Sequence, residues 1–205
     1  FKQKTAYEIG VRLVGSEMCI RDRHQGTILF TSGIVAFLSI PIWWIISNNI
    51  GKKLTWLTSS SITLIALMVF YLYEIETLIE LLFLVAFIGF GSGAGGILFW
   101  SMLPDTIEYG EVHTGVRSES SLYGFMTFAQ KGSIAFAIII LGIVLDFIGF
   151  QANEIQSEAT IDNMKAIMTL IPSIGVALSL VIIYFYPIDA KMHKDLLRQL
   201  QEANK

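Results

Sequence analysis

Charged side chains are scarce in this sequence, and their absence decides its class. Lys, Arg, Asp and Glu make up 15% of the 205 residues, whereas soluble domains carry roughly 25%. Four long stretches contain no charge and a fifth contains a single lysine; they are residues 24–51, 54–73, 81–104, 166–188 and 120–145. Each is close to the ~20 residues that a helix needs to cross a bilayer. A water-soluble helical bundle is the alternative, but its helices would need a polar face.

Cysteine is almost absent as well. The single residue, Cys19, excludes a disulfide bond within the chain. It lies in residues 1–23, where the sequence resembles translated DNA-sequencing adapters: residues 2–8 match a flow-cell primer and residues 13–23 a library adapter. We therefore expect residues 1–23 to be non-native and the native N-terminal part to be missing. The remainder holds nine basic and fourteen acidic residues, a balance that does not favour nucleic acid as a partner.

The apolar stretches predict an all-α membrane protein with a transmembrane helical bundle at 24–187 and a polar tail at 188–205. Five membrane-spanning helices are expected, at about 24–50, 54–73, 78–103, 120–148 and 164–187. Membrane lipid is therefore a predicted partner.

Basic residues alternate between the connections, and this alternation predicts the orientation. Lys52 and Lys53 lie in the first connection, Arg117 lies in the third, and four more basic residues lie in the tail. Because basic loops stay in the cytoplasm, we expect a multi-pass protein of the cell membrane with a cytoplasmic C-terminus.

The tail is expected to form an amphipathic helix along the cytoplasmic surface. Leu196, Leu197 and Leu200 are predicted on one side of that helix. A solvated tail without such a contact is the alternative.

Glycines are concentrated in the third predicted helix. Gly89 with Gly93, and Gly91 with Gly95, form two pairs of small residues at a spacing of four. Such pairs let helix backbones approach closely in lipid, so we predict that these glycines pack against neighbouring helices. Packing combined with a bend used during a conformational change is the alternative. A phosphate-binding loop would require a preceding strand and polar surroundings, which the sequence lacks.

Lys131 is the only residue between Ser120 and Leu145 that is charged at neutral pH. A charge at that depth costs roughly 2.5–3.5 kcal/mol, so it is expected to face a partner or a wet cavity. Helical spacing places Tyr123 and Thr127 on the same face as Lys131. The three residues are predicted to form a substrate or cation site. A structural ion pair is the alternative, but no other predicted span carries an acidic residue at that depth.

The third connection is the most polar native segment. Asp105, Glu108 and Glu111 are spaced by three and could share a helix face. Carboxylate catalysis and a metal site are not predicted, because His113 is the only histidine in this connection. We predict instead that this segment makes the contacts of a cytoplasmic gate, with a solvated loop as the alternative. The predicted gate residues are Asp105, Arg117 and Glu119.

One pattern through this region is similar to that of a known family. Asp105-x-x-x-Tyr109-Gly110-Glu111, Arg117-x-Glu119-Ser120, Tyr123, Thr127 and Lys131-Gly132 resemble the melibiose-permease family, the glycoside–pentoside–hexuronide:cation symporters of the major facilitator superfamily. The resemblance implies that residues 24–205 correspond to helices eight to twelve of a twelve-helix fold, a partial C-terminal bundle. It implies that Lys131 lies at the cation and sugar site, Thr127 near the cation, and Arg117 in the cytoplasmic gate. The family's cation-binding aspartates lie on the N-terminal bundle, which this sequence lacks.

The function implied by the resemblance is symport of a sugar or glycoside, coupled to sodium or protons, by alternating access. The missing N-terminal bundle would be the second half of the pathway, and the coupling cation would be the only cofactor. A carrier of another solute, such as a lysolipid, is one alternative, and a receptor or scaffold that transports nothing is another. An intramembrane enzyme is disfavoured because no nucleophile–base pair or metal-ligand cluster is recognisable in the sequence.

Overall fold

A computed structural model describes residues 6–75, 77–151 and 157–203, with side chains from Gly26 onward except those of Glu158, Gln201 and Ala203. The described residues form six helices and no strand. The helices are α1 Ala6–Ile50, α2 Lys52–Leu72, α3 Leu78–Thr114, α4 Glu119–Phe147, α5 Glu158–Tyr184 and α6 Ala190–Ala203.

Five of these helices are long and apolar enough to cross a membrane, which confirms the all-α membrane fold. The apolar segments are Gly26–Ile50, Lys52–Leu72, Leu78–Thr114, Glu119–Phe147 and Ala159–Tyr184. Helix α1 also includes most of the segment predicted to be non-native, since it begins at Ala6; residues 1–5 lie outside the described residues.

Helix α3 is longer than its predicted span of 78–103. It continues through Pro104 and ends at Thr114, so most of the expected third loop is helical. Proline removes one backbone donor from a helix, but tertiary contacts hold the chain beyond it, because Asp105 and Ile107 are buried. The helix stops where Gly115 adopts a left-handed conformation, with φ 70°, and its N–H donates to the carbonyl of Glu111 at 2.8 Å.

Helix α3 is the centre of the packed bundle. It contacts α1 and α2, and α2 in turn contacts α5. Trp43 of α1 packs with Ala94 and Leu98 of α3 in the core, and its indole N–H donates to the carbonyl of Phe90 at 2.7 Å. A buried indole N–H needs such an acceptor, so the bond fixes how α1 lies on α3.

Three of the four predicted packing glycines lie against neighbouring backbones. An added Cβ at Gly89 would lie 2.6 Å from the carbonyl oxygen of Ser32, and one at Gly93 would lie 2.7 Å from that of Ala36, both on α1. At Gly91 it would lie 3.0 Å from the carbonyl oxygen of Ser59 on α2.

Gly95 does not take part in this packing, contrary to the prediction. An added Cβ would meet nothing within 4 Å. Gly95 lies on nearly the same face as Gly91, since residues four apart differ by only about 40° around a helix, but one turn further along α3 this face lines an opening between α2, α3 and α5. Gly95 thus faces the opening between helices rather than a backbone.

Helix α4 differs from the other membrane helices because none of its described residues is buried. Its neighbour in the described part of the chain is α3, which it contacts far less than α1 and α2 do. Most of the α4 surface is therefore uncovered by the residues that the structure describes.

The chain connections sort to two ends of the bundle. At one end, the α1–α2 turn at Gly51 lies against Ala190 at the start of α6, and α6 contacts α3. At the other end, the Lys165 ammonium donates to the carbonyl of Tyr73 at 3.2 Å. The first connection and the C-terminal helix thus lie on the same side, as the alternation of basic residues predicts.

Helix α6 packs by part of its predicted apolar side. Leu196 is 3% exposed, but Leu197 is 38% exposed and does not belong to the packed side. Residues four apart share a helix face whereas neighbours differ by about 100°, which explains why Leu196 is joined by the half-buried Met192 and Leu200 instead.

Candidate functional site

The predicted substrate face is a single row along α4. Tyr123, Thr127 and Lys131 are spaced by four, so they lie one above another. The Thr127 hydroxyl donates to the carbonyl of Tyr123 at 2.8 Å, and the ring of Tyr123 is exposed. Lys131 follows the first residue of α4 by twelve positions in a helix of 29 residues, about 18 Å along the axis. It therefore lies near half depth.

Lys131 is exposed and unpaired within the part of the chain that the structure describes. The acidic residues of its own helix are Glu119 and Asp146, which lie twelve and fifteen positions away, about 18 and 22 Å along the axis. Neither can reach the ammonium. The arrangement leaves one positive charge on an uncovered face beside two hydroxyl-bearing side chains.

Arg117 and Glu119, two of the predicted gate residues, are brought together at the junction of α3 and α4. Nε of Arg117 donates to Oε1 of Glu119 at 2.8 Å, and Nη1 donates to Oε2 of Glu111 at 2.9 Å. Hydrogen bonds to Glu119 and to Glu111 raise the pKa of Arg117. This guanidinium links the end of one membrane helix to the start of the next.

Asp105, the third predicted gate residue, does not join that group. Helix α3 continues past it, so Asp105 lies about 1.7 helical turns before Glu111, the α3 residue that binds Arg117, and faces another neighbour. Its buried carboxylate accepts two hydrogen bonds from the Lys52 ammonium, at 2.7 and 2.8 Å. The predicted trio is therefore divided between two places.

The second place is a cluster between α3 and α6, formed by Lys52, Asp105, Glu108 and His193 and named here the α3–α6 cluster. Nε2 of His193 lies 3.2 Å from Oε2 of Glu108 and 3.4 Å from Oδ1 of Asp105. Lys52 also donates to the carbonyl of Ser101 at 2.8 Å. The sequence showed the two acidic residues on one helix face, but it gave no sign that His193, 85 positions after Glu108, completes the group.

His113, the histidine of the predicted third connection, does not belong to the α3–α6 cluster. Its ring stacks on Tyr109 with centroids 4.1 Å apart, and Nδ1 lies 2.8 Å from the carbonyl of Tyr109. It is exposed. The histidine that meets the carboxylates is instead His193 of α6, which lies outside the third connection.

Further hydrogen bonds tie the same end of the bundle together. The Lys53 ammonium donates to the carbonyl of Tyr186 at 2.6 Å, and the Tyr186 hydroxyl lies 3.3 Å from that of Thr106. Burial raises the pKa of Tyr186. The start of α2, the end of α3 and the α5–α6 connection are thus linked by polar contacts.

An opening of about 340 Å³ lies between α2, α3 and α5. Most of the polar groups that line it are engaged with the protein: the Trp56 indole donates to Ser179 at 2.8 Å, and the hydroxyls of Ser59 and Thr63 donate to helix carbonyls at 3.1 Å. A polar solute would find few free groups there, so the α4 face is the stronger candidate.

Comparison with known proteins agrees with this architecture. A family model described as MFS/sugar transport protein matches residues 17–190. An uncharacterised symporter of Synechocystis sp. is 27% identical over 197 residues, which cover 93% of this chain and 36% of that protein.

Two proteins of Escherichia coli (strain K12) are also similar. A glucuronide carrier protein homolog is 30% identical over 157 residues, covering 77% of this chain and 34% of that protein. A candidate sulfoquinovose importer is 34% identical over 118 residues, covering 57% of this chain and 25% of that protein. The chain thus spans a quarter to just over a third of the length of these relatives.

Proposed function

The chain belongs to the MFS/sugar transport protein family, and from this membership we propose that it is one part of a secondary transporter for sugar derivatives. The longer protein supplies the second bundle, and the solute moves by alternating access between the two. Transport is coupled to sodium or protons. The protein is placed in the cytoplasmic membrane with α6 on the cytoplasmic side, as the basic connections favour.

The observation that carries this proposal is the unpaired ammonium on α4. Keeping a charge at half depth is costly unless something compensates it, and no described residue of this chain does so at Lys131. The compensating groups therefore come from what covers the α4 face: the second bundle, the solute, or both.

The solute is proposed to be an anionic sugar derivative. The two E. coli relatives are named for a glucuronide and for sulfoquinovose, which carry a carboxylate and a sulfonate. Either anion would pair with the Lys131 ammonium, while the Tyr123 and Thr127 side chains offer hydroxyls to the sugar. Thr127 lies one turn from Lys131, close enough to share the coupling cation with carboxylates of the second bundle.

The gate is proposed to be the Arg117 junction between α3 and α4. Its two carboxylate partners, Glu111 and Glu119, lie on both sides of the connection, so movement of α4 relative to α3 changes these contacts. An exposed ion pair contributes little to stability, which allows such contacts to be remade in each cycle.

The test is uptake by the full-length carrier in proteoliposomes, with a sodium or proton gradient. Lys131→Ala should lower kcat/KM for a glucuronide or sulfoquinovose by about 10- to 150-fold, the equivalent of one hydrogen bond to a charged group. An uncharged methyl glycoside should lose much less. Lys165→Ala is the matched control, because it removes the same charge from the N-terminal part of α5, where Lys165 donates to the carbonyl of Tyr73.

The outcomes separate the alternatives. Equal losses for charged and uncharged sugars would refute the anion assignment while leaving transport in place. Uptake of a lysolipid in place of any sugar would overturn the solute class. Unchanged gradient-driven uptake by Lys131→Ala would overturn the role of the α4 face altogether.

A further inference from the structure

We propose that the α3–α6 cluster binds a divalent transition-metal ion of the zinc class through Asp105, Glu108 and His193. The cluster lies at the end of the bundle, apart from the α4 face, so this proposal does not depend on the transported solute. It also joins α3 to α6, and 75 residues of the chain lie between the end of α3 and the start of α6.

The donor atoms have the spacing that such an ion requires. Zinc binds imidazole nitrogen and carboxylate oxygen at about 2.0–2.2 Å, which in a tetrahedral site places neighbouring donors about 3.3 Å apart. Nε2 of His193 lies 3.4 Å from Oδ1 of Asp105 and 3.2 Å from Oε2 of Glu108. One ligand atom from each of the three residues lies within 4.8 Å of the others. A small shift of the Glu108 side chain, which is partly exposed, closes the triangle.

The charges of the cluster leave one negative charge uncompensated. Asp105 and Glu108 contribute two carboxylates, while Lys52 contributes one ammonium. Neutral imidazole is the form of histidine that binds metal, and with it the cluster carries a net charge of about −1. A divalent cation offsets this negative charge, and a transition-metal ion also prefers the imidazole nitrogen that His193 provides. A monovalent alkali ion has no such preference for nitrogen.

Lys52 limits the affinity but leaves room for the ion. It approaches both oxygens of Asp105, at 2.7 and 2.8 Å. Each carboxylate oxygen has two acceptor positions, so Oδ1 can bind a metal on the side facing His193 while it accepts from the ammonium on the other. The ammonium then orients the ligand, as second-shell groups do in metal sites.

Water can complete the coordination from an adjoining cavity. A pocket of about 310 Å³ lies beside the cluster and is lined by Asp105, His193, Asn48 and Asp189, among others. Three protein ligands and an open fourth position are a common zinc arrangement. A bound ion would hold α6 against α3, since His193 is the only one of the three ligands on α6.

The test is metal binding by the full-length carrier, purified in detergent, with Co²⁺ as the visible probe and Zn²⁺ as competitor. One equivalent of Co²⁺ should give the visible absorption of a low-coordinate ion, and Zn²⁺ should displace it. His193→Ala and Glu108→Gln should each weaken binding at least about tenfold, because second-shell changes alone cost 10- to 100-fold.

Matched controls remove the same chemical groups outside the cluster. His113→Ala deletes the exposed imidazole on α3, and Glu202→Gln changes an exposed carboxylate on α6 that pairs with Arg198. Both should bind as the unmodified protein does. Wild-type affinity in His193→Ala, or an equal loss in His113→Ala, would overturn the proposal, because binding would then be adventitious.

A second measurement locates the ion and does not depend on how the variants fold. Trypsin cleaves after Lys194 and Arg198, both exposed on α6. Zn²⁺ should slow this cleavage in the unmodified carrier and should not slow it in His193→Ala. Cleavage at the same rate with and without Zn²⁺ would contradict a site that holds α6 to α3.

Discussion

Replacing Gly89 by alanine should destabilise the bundle, while the same replacement at Gly95 should not. Both residues lie in α3, both are glycines within a helix, and both changes add one methyl group. They differ only in what the methyl group meets. The comparison therefore isolates the close approach of α1 to α3 from the general effect of alanine on a helix.

The magnitude follows from the geometry. At Gly89 the new Cβ would lie 2.6 Å from the carbonyl oxygen of Ser32, whereas an ordinary contact begins at 3.4 Å, so the helices must separate by about 0.8 Å or distort. The obstacle is backbone, which cannot rotate away. Overpacking of this kind costs about 1–3 kcal/mol, and the helix preference of alanine offsets about 1 kcal/mol of it. At Gly95 nothing lies within 4 Å, so only the favourable part remains.

The assay is thermal unfolding of the full-length carrier in detergent, with Gly89→Ala and Gly95→Ala measured side by side. We expect Gly95→Ala to unfold at or above the temperature of the unmodified protein and Gly89→Ala below it. The difference between the variants should correspond to about 1–3 kcal/mol. Identical unfolding of the two variants would refute the conclusion that the glycine contact holds α1 to α3.

Three further predictions concern the polar contacts at the ends of the helices. Lys52→Gln leaves the buried Asp105 carboxylate without its ammonium partner and should lower the free energy of unfolding by about 1–3 kcal/mol. In a double-mutant cycle of thermal unfolding, adding Asp105→Asn should recover part of this loss. Strictly additive losses would contradict the pairing. Burial raises the pKa of the Tyr186 hydroxyl above 10.0 in the folded protein. Below about pH 10 the hydroxyl is neutral in the folded and the unfolded protein, and its contribution to the free energy of unfolding is fully present. That contribution is lost as the pH rises through the raised pKa. Between about pH 9 and 11 the unmodified protein should therefore lose more thermal stability than Tyr186→Phe, and an equal loss would argue against the shift. Arg117→Gln should leave the unfolding temperature unchanged, since the guanidinium is exposed, yet lower uptake; unaltered uptake would remove it from the gate.

The membrane fold could be predicted from the sequence because it depends on properties that each segment has by itself. A helix crosses lipid when it is long and apolar enough and satisfies its own backbone hydrogen bonds. The four charge-free stretches and the stretch with a single lysine therefore located the five spanning helices of the described residues. Close packing at Gly89 and Gly93 could be anticipated for a similar reason, since their spacing is local.

The polar contacts could not be predicted in the same way. Whether α3 continues beyond Pro104 depends on Lys52 and α6, which hold Asp105 from outside the helix. The partner of Glu108 is His193, and nothing in the local pattern of either residue identifies the other. Gly95 shows the complementary error, because its spacing from Gly91 satisfies the packing rule while no helix lies opposite it.

The distribution of contacts separates the helices that stabilise this chain from the helix proposed to bind solute. Helices α1, α2, α3 and α5 are held by buried side chains and close backbones, whereas α4 buries none of its described residues. A spanning helix does not need such contacts to remain in lipid, because its backbone is already satisfied, so the α4 face is free to be shaped by what it binds. Lys131→Ala should therefore insert and unfold like the unmodified protein while losing uptake. If this variant instead unfolds at a clearly lower temperature, Lys131 holds the protein together, and the unpaired ammonium is not a solute-binding group.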